Sequence, residues 1–249
     1  MKKSFYILLL SVSVILFSCR DDSGKFEEQL FTIAQMSTAI RQCITISSDS
    51  TMNTLCIADS INQKYGYYYF GDSSYRITLP AAAQQMVDTL TEYGFGETIE
   101  KLISDINLAA EQCGNSIKRD FFTPLVESTT FSHPYDLIYN DSYSAITDYV
   151  KSIKQMDFIT VLSSILNDQF DDLKFDDLSI HNRWEQLLKE YANITDKYVS
   201  IELLSDVSKK MVNGFFTVMG AVEEEIRKKP ELRGEKSSML YLVFATLDE

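Results

Sequence analysis

A chain of 249 residues carrying a formal charge of −13 is long enough for one large core, and its acidity excludes binding to nucleic acid through the phosphates. Forty-five per cent hydrophobic residues, with only nine Gly and four Pro, exclude a disordered chain and argue against a loop-rich all-β one. Two histidines and the lack of any Cys-x-x-Cys pair leave neither a His-rich metal site nor a cysteine zinc site to expect.

Met1-Lys2-Lys3 is a short positive start, and an apolar run from Phe5 to Phe17 follows, interrupted by Ser11 and Ser13. As a helix that run would reach about 20 Å, too short for a ~30 Å hydrocarbon core, so it suits the apolar part of a secretory leader. It ends in Leu16-Phe17-Ser18-Cys19, which resembles a lipobox, although Phe17 is bulkier than the residue usual there. The resemblance implies cleavage before Cys19 and acylation of its sulfur, which would anchor the chain to a membrane through lipid. Arg20-Asp21-Asp22 resembles a short acidic export tag, and its alternative is plain tether. The expected location is therefore the outer membrane, facing outward, with the periplasm-facing leaflet as the alternative. The expected organisation is a leader over 1–18, lipidated cysteine and tether over 19–25, and one helical domain over 26–249.

From Phe26 the apolar spacing is helical, with Leu30, Ile33, Ala34, Ile40 and Ile44 on one face. Ser47-Ser48-Asp49-Ser50 reads as a turn, and a second helix carries Met52, Leu55 and Cys56. In such a hairpin Cys43 and Cys56 are equidistant from the turn and make a candidate disulfide; the alternative is two buried thiols. Three cysteines beyond Cys19 leave at least one unpaired within the chain.

Tyr65-Gly66-Tyr67-Tyr68-Tyr69-Phe70, the turn Gly71 to Ser74, and the alternating Tyr75 to Leu79 predict a small β-hairpin near residues 65–79. Its rings either pack on the core or present a stacking surface to a glycan. Helices alone follow. Ala83 to Tyr93 stops at Gly94, and Ile99 to Cys113 continues, bent near Gly114 and Pro124, to Leu125. Ser132-His133-Pro134 starts a helix, and Tyr143 to Ile153 and Phe158 to Ile165 make two faces across a break. Asp171 to Asp177 reads as acidic loop. Trp184 lies on the core stripe Ile180 to Ile194. The longest helix runs from about Ser200 to Lys229 on a stripe from Leu204 to Ile226, Pro230 ends it, and a short helix carries Met239 to Leu247. The fold class is all-α, a globular multi-helix array with one small hairpin.

Catalytic patterns are scarce. There is no Gly-x-Ser-x-Gly, no His-Glu-x-x-His and no phosphate loop, so no cofactor is expected. Asp176, Asp177 and His181 could gather around a metal, but read more simply as a solvated helix start, and no metal site is expected. Arg227 and Arg233 flank the end of the longest helix. They could cap its carbonyls, pair with Glu223 or Glu224, or receive an anionic ligand. A non-catalytic binding or assembly module is the favoured reading, its partner an envelope protein or glycan. The alternative is an envelope enzyme using Glu111, or Glu224 with Arg227.

From Ile40 to Phe244 the order of short motifs resembles the bacterial domain-of-unknown-function family four-one-nine-seven. The resembling pieces are Ile77-Thr78-Leu79-Pro80, Gly94-Phe95-Gly96, Asn107-Leu108-Ala109-Ala110-Glu111, Ala145-Ile146-Thr147-Asp148-Tyr149, Val207-Ser208-Lys209-Lys210 with Gly214-Phe215-Phe216, and Glu224 to Pro230 with Arg233. The chain departs from the pattern at Asp206, His133-Pro134 and Asn140. The resemblance implies an exported, mostly helical protein and carries no activity.

Overall fold

The computed structural model describes residues 31–56, 66–67, 75–175 and 177–248. Helix α1 (Ile33–Leu55) opens on a capping box: the Thr32 hydroxyl accepts from the Gln35 N–H, and Gln35 Oε1 accepts from the Thr32 N–H. It runs unbroken through Ser47-Ser48-Asp49-Ser50, so the helical hairpin expected from that cluster does not form. The hydroxyls explain why. Ser47 donates to the Cys43 carbonyl and Thr51 to the Ser47 carbonyl, both at 2.7 Å, and both side chains are buried. A hydroxyl bonded one turn back needs no water, and polar residues can then sit inside a helix.

Of the expected β-hairpin, residues 65 and 68–74 lie outside the described residues. In its second arm Ile77 and Leu79 are buried and Thr78 is exposed, the alternation that the sequence predicts. Among the described residues this arm forms no strand. The N–H and C=O of Ile77 both pair, at 2.8 Å, with the side-chain amide of Asn107, which gives one residue the bonding of a ladder. Tyr67 is buried, and its hydroxyl donates to the Met211 carbonyl at 3.1 Å, so this ring is core.

A 3-10 turn at Ala81–Ala83 leads from Pro80 into α2 (Gln84–Glu92), which Gly94 closes at φ +91°. Helices α3 (Gly96–Gln112) and α4 (Gly114–Ile117), a π turn (Lys118–Phe122) and α5 (Thr123–Ser128) form the continued, bent run that the sequence suggests. Next come α6 (Pro134–Ile138) and α7 (Ala145–Asp172). The break expected between Ile153 and Phe158 is missing, because Lys154-Gln155-Met156 are good helix formers and nothing there stops the turn. The segment expected as acidic loop instead holds an antiparallel pair, β1 (Lys174–Phe175) with β2 (Leu178–Ser179), in register Lys174 to Ser179. Asp177 takes the left-handed conformation such a tight turn needs, at φ 62°.

Ser179 caps α8 (Ile180–Thr195), and Trp184 on this helix is buried as expected. Helix α9 (Leu203–Lys228) packs along α7 and α1, and α10 (Met239–Phe244) closes against α1. Phe121 stacks on Phe158 and Phe122 on Phe215, with centroids 4.2 and 4.9 Å apart, so the bent run is fastened to the α7–α9 pair by rings. Phe31–Glu249 form one compact unit.

Candidate functional site

Two polar places stand out against this core. The first is at the end of α9. Glu223 follows Val222 on the helix and precedes Ile226 by three positions, which turns its carboxylate inward. It is fully buried, accepts from the Ile146 and Thr147 N–H groups at 3.1 and 2.7 Å, and accepts from Arg227 Nε and Nη2 at 3.0 and 2.8 Å. Those N–H groups belong to the first turn of α7. One carboxylate therefore caps a neighbouring helix at the positive end of its dipole and neutralises a buried guanidinium. Arg227 also donates to the carbonyls of Ile138 and Leu137 at the end of α6, at 2.7 and 2.8 Å, and lies 5.2 Å from the centre of the Phe244 ring.

Arg233 completes the cluster. Its side chain is fully buried; it donates to the carbonyls of Ile226 and Arg227 at 3.0 and 2.6 Å and grips Asp248 through two bonds of 2.7 Å. That grip holds the Asp248 carboxyl below the usual carboxylate range. The two arginines are thus brought together as the sequence suggests, but carbonyls and carboxylates stand where an anion would sit. Glu224 turns outward to pair with Lys228. The buried partner is Glu223, and the signal for it was its place on the apolar arc between Met219 and Ile226. Nothing in the sequence ties Asp248 to Arg233.

The second place is an open cleft of about 540 Å³ between the end of α1 and the α3–α4 corner. Asp49, Asn53 and Cys56 line it from α1; Glu111, Gln112, Asn115 and Lys118 line it from the other side. Lys118 Nζ meets Asp49 at 2.6 Å, while Glu111 is buried in the wall. The corner is tight: a Cβ on Gly114 would stand 2.8 Å from Cys56 Cβ, so a residue without one is required. Burial pushes the Cys56 thiol up, aided by its neighbours Cys113 and Glu111, and pushes Cys113 up to about 12. Thiols held protonated offer no thiolate nucleophile at neutral pH.

Cys43 and Cys56, the candidate disulfide, sit thirteen positions apart along α1 and its cap, about 20 Å of helical rise. Both are free thiols, Cys43 buried and Cys56 partly so, and the candidate bridge between them is not formed. The unbroken course of α1 through Ser47 and Thr51 is the cause. Elsewhere, Arg183 and Asp105 are both buried and approach to 3.6 Å, joining α8 to α3. His181 packs edge-on against Phe170, at 5.4 Å between centroids, and Asp177 lies in the β-turn. Among the described residues no group of three His, Cys, Asp or Glu side chains is placed to hold a metal ion. Cys19, Arg20, Asp21 and Asp22 lie outside the described residues, and no described helix is long and apolar enough to cross a membrane.

The family model described as "Protein of unknown function (DUF4197)" matches residues 31–245. No curated protein and no solved structure matches the chain.

Proposed function

The chain belongs to the DUF4197 family, of unknown function, and from that premise we propose that it is an outer-membrane lipoprotein anchored through Cys19, whose helical domain is a non-catalytic binding or assembly module. The anchor rests on the apolar run ending in Leu16-Phe17-Ser18-Cys19, with Asp21 and Asp22 as an outward export tag. The non-catalytic reading rests on one observation. Of the side chains named for an enzyme, Arg227 is buried on Glu223 and the Leu137 and Ile138 carbonyls and Glu224 turns outward to Lys228, so the two do not converge on an opening, and Glu111 reaches a cleft wall lined by no described arginine or histidine. The open cleft, by contrast, offers amides, carboxylates and one ammonium. Such a surface suits contact with a hydroxyl- or amide-bearing partner, an envelope glycan or protein.

Cys19→Ala tests the anchor. Metabolic labelling with a radioactive fatty acid should mark the wild type and leave the variant unlabelled, and the variant should leave the membrane fraction or remain unprocessed. Equal label on both refutes the lipoprotein. Replacing Asp21 and Asp22 by Ala should reduce protease shaving of intact cells without reducing label; unchanged shaving would leave those residues as tether.

A further inference from the structure

The fold brings two of the three free thiols to one corner. Helix α1 ends on Cys56 and α3 ends on Cys113, each closing its helix with its own N–H, to Met52 at 2.8 Å and to Ala110 at 3.3 Å. The two ends meet at Gly114. A Cβ built there would lie 2.8 Å from Cys56 Cβ and 3.7 Å from Cys56 Sγ, so the Cys56 side chain rests against the Gly114 backbone. One Cα step of about 3.8 Å separates Gly114 from Cys113. The buried Tyr67 phenol is raised first by burial and then by both of these thiols, which puts the three side chains in one neighbourhood. Cys43 lies in another, beside Glu223 and Arg227.

We propose that Cys56 and Cys113 are a modification site, a thiol pair that closes to a disulfide and ties the end of α1 to the end of α3 at the wall of the cleft, with Cys43 left as a thiol. The oxidant is a disulfide, small or protein-borne. Cys56, partly exposed in the cleft, is the entry point, because Cys113 is buried. The Cys56 thiol gives up its proton and its sulfur bonds to one sulfur of the oxidant. The oxidant's S–S bond breaks, and its other half leaves and takes up a proton. Cys113 then gives up its proton and attacks the Cys56 sulfur, expelling the second half of the oxidant as a thiol. Two electrons pass from the cysteine pair to the oxidant. Both exchanges need a thiolate, and burial opposes it at both sulfurs, so closure is slow at neutral pH and quickens as pH rises. The pairing rests on the fold alone and stands apart from the envelope reading.

The full chain, purified reduced in detergent and then held with oxidised glutathione at mildly alkaline pH, should lose two hydrogens in intact mass. Trypsin leaves Cys43 and Cys56 on one peptide, 42–64, so the digest is made with a protease that cuts before aspartate. The expected product joins peptide 49–58 to peptide 105–119. Cys113→Ser should accumulate glutathione on Cys56, since nothing then resolves the mixed disulfide, and Cys43→Ser should leave the bridge intact. Recovery of Cys56 and Cys113 as alkylated thiols after oxidation overturns the proposal, as does a bridge to Cys43 or Cys19.

Discussion

The cluster at the end of α9 and the cleft at the end of α1 use the same side chains to opposite ends. Arg227 meets Glu223 at 2.8 Å and Lys118 meets Asp49 at 2.6 Å, so distance does not separate the two pairs. Burial does. Glu223 and Arg227 are 1% and 3% exposed, and each bonds to backbone groups of a second helix as well as to its partner. Lys118 and Asp49 are 53% and 38% exposed, and water competes for both. The first pair replaces capping that α6 and α7 otherwise lack; the second holds little and leaves its cleft open to a partner. A charged cluster prominent in sequence can thus be scaffold, while the quieter amides beside Gly114 face solvent.

Removing one member of the buried pair should have the largest effect. Glu223→Ala strands the Arg227 charge and uncaps the Ile146 and Thr147 N–H groups, so unfolding free energy should fall by about 3–5 kcal/mol, read from the denaturant midpoint. Adding Arg227→Met in the same chain should recover part of the loss, because no buried charge is then left unpaired. A single variant that unfolds like the wild type would dissolve the contrast between the two places.

Much of the array was legible because the signals were local. The α9 stripe, Gly94 at a helix end, Pro134 at a helix start and the inward face of Trp184 each depend on neighbours three or four positions away. What failed were inferences that a polar residue must meet water. Ser47 and Thr51 satisfied their hydroxyls inside α1, which made one helix of two and separated Cys43 from Cys56. Glu223 and Glu224 were both open as partners for Arg227, and the phase of Glu223 against Met219 and Ile226 is what makes it, rather than Glu224, the inward one. The Asp248–Arg233 and Cys56–Cys113 relations depend on how distant helix ends meet, and no spacing encodes that. The strand pair at 174–179 was masked by the acids around it.

Lys118→Ala is the counterpart of the first substitution and sharpens the contrast. Removing the exposed ammonium should change stability by no more than about 1 kcal/mol, since solvent already screens the pair. A loss comparable to that of Glu223→Ala would show that the cleft is braced rather than open, and would remove the reason for treating it as a contact surface.

The smallest effect lies at the rim of the buried cluster, where Asp248 is 39% exposed while its partner Arg233 is fully enclosed. Hydrogen bonds from Arg233 lower the Asp248 pKa, so the folded state favours its charged form more than the unfolded chain does. The sign follows from linkage. This stabilisation is complete above the unfolded carboxylate pKa of about 4 and is lost as pH falls through the lower folded value. Asp248→Asn keeps an acceptor for Arg233 but cannot titrate. Its deficit against the wild type should be greatest at neutral pH, below about 1 kcal/mol because of the exposure, and should shrink toward zero in acid. Paired denaturation curves taken from neutral to strongly acid pH measure that difference directly. No deficit at any pH would mean that Arg233 is held by the Ile226 and Arg227 carbonyls alone, with Asp248 a bystander at the surface.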